Sequence, residues 1–440
     1  MSILTFSDIA PPLTRFQDMF TSEFWGPDYF TEEGVQYAQH ISGGTASGFR
    51  VQSLFTGTGA GPNFSIQTLN AREYVSYQTA FSFAAVGGAY AVADFAAFLG
   101  NGRTSAAFML SRADTISGAP TVASYLEGFG GADVLIGGSG DDILDGGTGA
   151  DDLRGGGGSD TATYISAAAG LIVSLANPTI NTGEAAGDVF TSVENLRGSS
   201  YNDSLNGSSV ANTINGAAGD DTIKGYAGND VLEGSTGNDV LIGGLGGDTL
   251  SGGSGSDTAS YAGAASGVIA SLANSSINTG EAAGDTYISI ERLIGTSFND
   301  SLNGANVVNN TLRGGGGNDT LKGYTGNDVL EGGAGQDIFV FNTVLNASTN
   351  VDRILDFSAA DDTIHLAQSI FAGIAAKGAL LSGYFKNLDT GSLDANDRIL
   401  YRPSTGILYY DQDGTGAAGA VRFAELVPGT AMNHLDFFVI

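Results

Sequence analysis

The sequence predicts an all-β protein whose central part is a parallel β-roll, a solenoid of short stacked strands. Two observations support this prediction. A nine-residue unit with glycines first, an aspartate sixth and an aliphatic residue eighth recurs between residues 128 and 340, and two longer segments that interrupt it are copies of each other. The unit is clearest at 137–154, which reads Gly-Gly-Ser-Gly-Asp-Asp-Ile-Leu-Asp and then Gly-Gly-Thr-Gly-Ala-Asp-Asp-Leu-Arg.

The composition limits the classes of partner. The formal net charge is -30, and only 17 residues of 440 are Lys or Arg, so nucleic acid and anionic membrane surfaces are poor partners. Such an excess of carboxylates either solvates a disordered chain or binds divalent metal, and a hydrophobic content of 42% argues against disorder. The absence of cysteine excludes disulfides and thiolate metal sites.

The units form three blocks, at residues 128–163, 198–260 and 295–340. The inserts between them, 164–197 and 261–294, begin two copies of one segment that are offset by 97 residues and share Ile-Asn-Thr-Gly-Glu-Ala-Ala-Gly-Asp. Alternation of apolar and polar residues predicts two strands in each insert, at 171–175 and 189–196 and at 268–272 and 286–293. We expect the inserts to be wider coils that continue the same stack.

Within each unit, the first six residues are predicted to form a turn and the last three a strand whose middle side chain points inward. Two units then make one coil of 18 residues, so turns on one side lie one strand spacing apart, roughly 4.8 Å. The inward residues form two facing aliphatic columns. They are Leu135, Leu144, Leu153, Leu205, Ile214, Ile223, Leu232, Leu241, Leu250, Leu302, Leu321 and Leu330.

This register brings successive sixth-position aspartates together, for example Asp133 with Asp151. Two carboxylates about 5 Å apart repel by roughly 3 kcal/mol at an effective dielectric near 20, which is comparable with the stabilisation from one buried leucine. Calcium reverses this sign, because it binds six to eight oxygens and the glycine turns offer accessible carbonyls. The predicted calcium ligands are Asp133, Asp142, Asp151, Asp160, Asp203, Asp221, Asp230, Asp239, Asp248, Asp257, Asp300, Asp319, Asp328 and Asp337.

The alternative interpretation is a flexible Gly/Ser-rich linker. A linker has no reason to keep aspartate sixth in fourteen of sixteen units, with Asn212 and either Asn309 or Asn310 in the other two. The nonapeptide instead resembles the calcium-binding repeat of the RTX family. The resemblance implies a right-handed parallel β-roll with several Ca²⁺ ions held between adjacent turns by the sixth-position aspartates and backbone oxygens. Sites at these asparagines, and at Phe129, which replaces a second-position glycine, are expected to be weaker or absent.

Different sequences flank the predicted roll, which spans 126–340. Residues 1–125 are predicted to form a β-rich head with strands at 49–55, 64–69 and 74–83, and residues 341–440 a β-rich tail. The tail resembles the type I secretion target domain of RTX proteins, because Asp436-Phe-Phe-Val-Ile440 is similar to its export signal. An ordinary β-domain with a buried last strand is the alternative. No amino-terminal secretory signal is apparent, which favours export by this other route.

No enzyme motif was found in the head. It has no His-Glu-x-x-His or Gly-x-Ser-x-Gly sequence, and His40, His365 and His434 are isolated in the sequence. Glu32-Glu33 and Glu73 offer carboxylates for glycoside hydrolysis, but solvated surface charge explains them equally well. The sequence therefore predicts a protein that is not an enzyme, and it contains no predicted membrane-inserting segment.

The predicted function is that of a secreted, calcium-dependent structural protein of the cell surface or extracellular matrix of a Gram-negative bacterium. We expect it to fold on calcium, to self-assemble as a homo-oligomer, filament or surface layer, and to meet the type I secretion machinery during export. One alternative is an adhesin whose head binds carbohydrate or a host surface, and another is an unrecognised hydrolase. The aromatic segment 16–37 either docks on a neighbouring molecule or caps the first coil.

Overall fold

The structure is a computed structural model. It describes the strand backbone at 35–41, 49–56, 63–75, 77–84 and 90–91, together with residues 113, 115–118, 120–414 and 419–440. These residues form β-strands and short 3-10 helices and contain no α-helix, which confirms the all-β class. None of the helices described is long and apolar enough to cross a membrane. The chain divides into two compact units, Met1–Gly207 and Ser208–Ile440, which are described in turn.

The first unit combines an antiparallel sheet with stacks of parallel strands. Its strands are β1 (Val35–Ile41), β2 (Phe49–Thr56), β3 (Asn63–Val75), β4 (Tyr77–Ala84), β5 (Tyr90–Ala91), β6 (Thr115–Gly118), β7 (Tyr125–Glu127), β8 (Val134–Gly138), β9 (Ile143–Asp145), β10 (Asp152–Gly156), β11 (Thr161–Thr163), β12 (Ile172–Ser174), β13 (Val189–Thr191), β14 (Asn195–Arg197) and β15 (Ser204–Asn206). Two 3-10 helices, Pro178–Ile180 and Gly183–Ala185, lie between β12 and β13.

The antiparallel sheet has the strand order β1-β2-β3-β4-β6, with β5 on β3. The strands predicted at 49–55 and 64–69 are present as β2 and part of β3. The single strand predicted at 74–83 is instead the end of β3 and the start of β4, which pair antiparallel with Val75 opposite Tyr77. The side chains of the aromatic segment 16–37 lie outside the described residues, as does Trp25.

Two parallel stacks, β6-β8-β10-β13 and β7-β9-β11-β14, form the roll of this unit, and β12 pairs with β15 in a third. Leu135 on β8 lies opposite Leu153 on β10, which is a spacing of 18 residues. The predicted coil of two nonapeptides is therefore confirmed.

The second unit continues from the same kind of coil into the tail. Its strands are β16 (Thr213–Asn215), β17 (Thr222–Ala227), β18 (Val231–Thr236), β19 (Val240–Leu245), β20 (Thr249–Ser254), β21 (Thr258–Ser260), β22 (Ile269–Ser271), β23 (Thr286–Ile288), β24 (Arg292–Ile294), β25 (Ser301–Asn303), β26 (Thr311–Gly316), β27 (Thr320–Lys322), β28 (Val329–Ala334), β29 (Ile338–Phe341), β30 (Asp352–Ile354), β31 (Thr363–Leu366), β32 (Gly378–Ala379), β33 (Phe385–Asn387), β34 (Ile399–Arg402), β35 (Ile407–Tyr410), β36 (Val421–Glu425) and β37 (Phe437–Val439). The 3-10 helices are Ser275–Ile277, Gly280–Ala282, Ser382–Tyr384 and His434–Asp436.

Its parallel stacks are β16-β18-β20-β23, β17-β19-β21-β24-β26-β28-β30 and β22-β25-β27-β29-β31-β37. Strand β36 extends the second stack by pairing parallel with β30, and β35 and β34 follow it in antiparallel pairs. The last strand, β37, pairs with β31 and buries Phe437 and Val439. The tail thus packs directly onto the final coils of its unit.

The eighth-position residues form the core of the roll. All twelve predicted aliphatic residues are at most 1% exposed. Burial of each stabilises the roll by roughly 1.5–3 kcal/mol. Several strands are longer than predicted: β17 to β20 run for six residues and include the first three residues of the next unit, because stacked glycine turns stay extended enough to pair.

The inserts continue the stacks only in part: β13, β14, β23 and β24 pair with strands of the preceding coils, as expected, whereas β12 and β22 do not. In the first unit, β13 is the last strand of one stack and β12 the first of another; in the second, β23 and β22 take these roles. The predicted strand 189–196 is divided into β13 and β14, with Ser192 between them at φ +50°. Each insert also covers the edge that it creates, since Ser174 donates its N–H to Asn181 Oδ1 at 2.8 Å and Ser271 to Asn278 Oδ1 at 2.9 Å.

Candidate metal centre

The sixth-position aspartates occupy equivalent places at the ends of the turns, immediately before the strands. None is more than 5% exposed. This holds for all fourteen predicted ligands, Asp133, Asp142, Asp151, Asp160, Asp203, Asp221, Asp230, Asp239, Asp248, Asp257, Asp300, Asp319, Asp328 and Asp337. Buried ionisable side chains require compensation from hydrogen bonds, protons or metal.

In twelve of these aspartates, one carboxylate oxygen accepts a backbone N–H from an earlier coil. Asp221 donates its N–H to Oδ1 of Asp239 at 2.8 Å, and Asp239 donates to Oδ1 of Asp257 at 2.9 Å. The same bond joins the predicted neighbours Asp133–Asp151, Asp142–Asp160, Asp230–Asp248 and Asp319–Asp337. The expected pairing is thus mediated by the backbone, so that a hydrogen bond offsets part of the repulsion between neighbouring carboxylates.

The second oxygen of the same carboxylates is different. It is buried and has no hydrogen-bond partner in nine of the described residues: Asp142, Asp151, Asp160, Asp230, Asp239, Asp248, Asp257, Asp319 and Asp328. Leaving a buried polar group unsatisfied costs about 1–3 kcal/mol, and more for a charged one. A repeated cost of this kind indicates that these oxygens are suited to bind a cation.

The first glycine of each unit shows where that partner fits. A Cβ added to Gly128 would lie 2.6 Å from Oδ2 of Asp133 and 2.6 Å from the carbonyl oxygen of Gly146 in the next coil. The two oxygens therefore face one small space and lie within roughly 5 Å of each other, which matches calcium–oxygen distances of about 2.3–2.6 Å. Glycine keeps this space open because it has no Cβ.

This donor set fits calcium. Among the residues that the structure describes, no three Asp, Glu, His or Cys side chains converge on one point, so side chains alone do not form a cage. Carboxylate and carbonyl oxygens together provide the ligands that calcium prefers, whereas zinc prefers nitrogen and sulfur. The residues that would hold each ion are thus one aspartate and the glycine turns around it.

The carboxylates hold protons more tightly than free aspartates. Burial raises the pKa of Asp151, Asp160, Asp230 and Asp239 to about 6, although the N–H of the neighbouring coil acts in the opposite direction. Burial raises the pKa of Asp319 to about 7. Protons and cations therefore compete for these oxygens.

Asp188 and Asp285 lie outside the nonapeptides, occupy the same ladder and were not predicted. Asp151 donates its N–H to Oδ1 of Asp188 at 2.9 Å, and the hydroxyl of Tyr164 donates to Oδ2 of Asp188 at 2.8 Å. Asp285 accepts the equivalent bonds from Asp248 and Tyr261 in the second unit. Spacings of 37 residues hide them from a nine-residue pattern. Their recurrence in both copies of Ala-Ala-Gly-Asp was the available signal.

The structure also resolves the ambiguous unit near residue 310. Asn310 occupies the sixth position, because it is buried and donates its N–H to Oδ1 of Asp328 at 2.7 Å. Asn309 belongs instead to a second, exposed ladder, in which its side chain accepts the N–H of Asn327 at 2.9 Å. Phe129 keeps the turn of its unit by adopting a left-handed backbone with φ +67°.

The fold and its buried rows of carboxylates define a calcium-binding parallel β-roll. The family described as RTX calcium-binding nonapeptide repeat (4 copies) matches residues 127–162, 197–232, 207–241, 224–259 and 308–339, all within that roll. These parts of the chain carry RTX calcium-binding nonapeptide repeats, and such repeats bind several Ca²⁺ ions. No curated protein matches the chain.

Proposed function

We propose that this chain is a secreted structural protein of the bacterial surface or extracellular matrix that folds on calcium and then assembles with copies of itself. The observation that carries the proposal is the series of buried Oδ2 atoms without a hydrogen-bond partner, which recurs in both compact units. The fold needs cations at these places, and calcium is abundant outside cells and scarce inside them.

Calcium acts here as a folding ligand. The carboxylates converge only in the folded roll, so calcium binds the native state and shifts the equilibrium towards it. The tail supports export before folding: Phe437 and Val439 are buried against β31, so an exporter gains access to these terminal residues only in an unfolded chain. The need for calcium therefore explains both the export of an unfolded chain and its folding outside the cell.

Assembly is supported by charge and by surface. A net charge of -30 keeps copies apart, and bound calcium removes much of that repulsion. The second unit also exposes large apolar side chains, including Val307 at 88% and Leu245 at 62%. Contact between copies would bury such side chains.

The test compares the full chain in millimolar calcium, in millimolar magnesium and in chelator. We expect circular dichroism to show more β-structure in calcium than in magnesium or chelator, because magnesium demands an octahedral geometry and retains its waters. Light scattering and electron microscopy should then show ordered polymers in calcium. Equal order in chelator would refute calcium-dependent folding, and a calcium-loaded monomer that binds glycans would favour the adhesin instead.

A further inference from the structure

The second turn of each insert repeats the geometry of the glycine turns without their sequence. In the second unit, Asp257 is fully buried and its Oδ2 has no hydrogen-bond partner. A Cβ added to Gly252 would collide with that oxygen and with the carbonyl oxygen of Ser289. Ser289 thus places its carbonyl where a glycine of the next coil places its own elsewhere in the roll.

Ser289 adopts a backbone conformation that serine rarely takes. Its φ is +49°, in the left-handed region, at a cost of about 1–2 kcal/mol. This conformation turns the chain between β23, which ends at Ile288, and Glu291. Strain of this kind persists where the surrounding structure or a ligand requires it.

Glu291 occupies the register of a sixth-position aspartate. It directly precedes Arg292, which pairs with Thr258, the residue that follows Asp257. Its Oε2 accepts the N–H of Asp257 at 3.0 Å, the bond that the next aspartate accepts in the nonapeptide turns. The longer glutamate side chain suits the shorter turn of the insert.

The first unit contains the same arrangement 97 residues earlier. The Oδ2 atom of Asp160 is buried without a hydrogen-bond partner, and a Cβ on Gly155 would collide with it and with the carbonyl oxygen of Ser192. Ser192 has φ +50°, and Glu194 Oε2 accepts the N–H of Asp160 at 3.0 Å. Two independent copies therefore preserve the strained serine, its carbonyl and the glutamate.

We propose that each insert completes a calcium site of its own, formed by Asp257, the Ser289 carbonyl and Glu291 in the second unit, and by Asp160, the Ser192 carbonyl and Glu194 in the first. The matched repeats end at residues 162 and 259 on this side, so the serines and glutamates lie outside them. This inference rests on the proposed calcium-dependent folding. It adds ligands that the nonapeptide pattern does not contain.

The test counts calcium ions on the full chain by native mass spectrometry, with calcium as the only added metal. Glu291→Gln keeps an oxygen that can accept the N–H of Asp257 but removes the charge, and we expect it to lose one ion. Glu194→Gln should also lose one, and the double variant two. Glu281→Gln is the matched control, because Glu281 lies in the same insert on the helix Gly280–Ala282, and it should keep the full count.

If Glu291→Gln fails to fold, Glu291→Asp tests the site, since it keeps the charge and should weaken one ion without losing it at saturating calcium. A full count in both Glu→Gln variants, or an equal loss in the Glu281→Gln control, would overturn the proposed sites alone. A wild-type chain that binds no calcium would overturn the proposed function.

Discussion

The nonapeptide turns and the tyrosine-capped turns of the inserts bury the same carboxylate in two ways. Oδ1 of Asp239 and Oδ1 of Asp188 each accept an N–H from the preceding coil. Oδ2 of Asp239 has no hydrogen-bond partner, whereas Oδ2 of Asp188 accepts the hydroxyl of Tyr164. The requirement for a cation therefore depends on the partner of the second oxygen and not on the aspartate itself.

The largest expected effect follows from removing carboxylates of the first kind. Asp230→Asn combined with Asp239→Asn should raise the calcium concentration at the folding midpoint by about tenfold or more, equivalent to at least about 1.4 kcal/mol. The fold accepts the side chain, because Asn212 and Asn310 already occupy this ladder position. Calcium titration followed by circular dichroism measures the midpoint.

Asp220→Asn is the matched control for that titration. Asp220 lies in the exposed ladder, where it accepts the N–H of Asn238 at 2.7 Å. We expect its midpoint to stay near that of the wild type. A shift as large as that of the double variant would mean that total charge, rather than the buried sixth-position aspartates, sets calcium affinity.

The next effect is a pH dependence that calcium reverses. Burial raises the pKa of Asp160 and Asp239 to about 6 and that of Asp319 to about 7, so the folded chain binds more protons than the unfolded chain above pH 4. In chelator, stability should therefore fall between pH 5 and pH 8, with a decrease in Tm on the order of 5 °C. In calcium, stability should rise over the same range. Thermal melts in the two buffers decide this, and parallel pH curves would contradict it.

A smaller, calcium-independent effect is expected at the tyrosine cap. Tyr164→Phe leaves Oδ2 of Asp188 without its hydroxyl donor, which should reduce the free energy of unfolding by about 1–3 kcal/mol. The loss should be similar in calcium and in chelator wherever the unit is folded. Tyr201→Phe, at a tyrosine that is 48% exposed, serves as the control in denaturant unfolding. A loss seen only in chelator would place calcium at this turn after all.

The smallest effect concerns backbone strain in the turns. Ser235 occupies a second-position glycine site with φ +78°. Ser235→Gly should stabilise the calcium-loaded roll by up to about 1 kcal/mol, because glycine takes positive φ without steric cost. Ser254→Gly, one position further along the unit, lacks this strain and should destabilise slightly. Equal signs in the two variants would show that strain is not stored at the second position.

The sequence predicted the regular part of the roll well, because the nine-residue period there also fixes the positions of the aspartates and the aliphatic residues. The 18-residue coil and the burial of the eighth and sixth residues all follow from one repeating unit, as Leu135 opposite Leu153 shows. The sequence did not predict where one stack of strands ends and another begins. A pattern of alternating residues shows that a strand exists but not which strand it pairs with, so the change of stack at β12 and β13 remained hidden.

The sequence predicted the sixth-position carboxylates of the candidate site, but it did not predict the acidic residues and the tyrosines that the inserts contribute. Glu291 and Asp285 lie 34 and 37 residues after the aspartates whose N–H groups they accept, so no multiple of nine reveals them. The role of Tyr164 depends on a contact across 24 residues of the insert. Such partners are set by the path of the insert, which the local sequence does not specify.

The tyrosine cap has a consequence for the number of ions. In the first unit a row runs from Asp133 through Asp151 to Asp188, and in the second from Asp230 through Asp248 to Asp285. Each row ends at an aspartate whose second oxygen is already bonded to a phenol. In the proposed calcium-loaded roll, these two aspartates would therefore end each row of ions, so that no half-coordinated ion is exposed at the last turn.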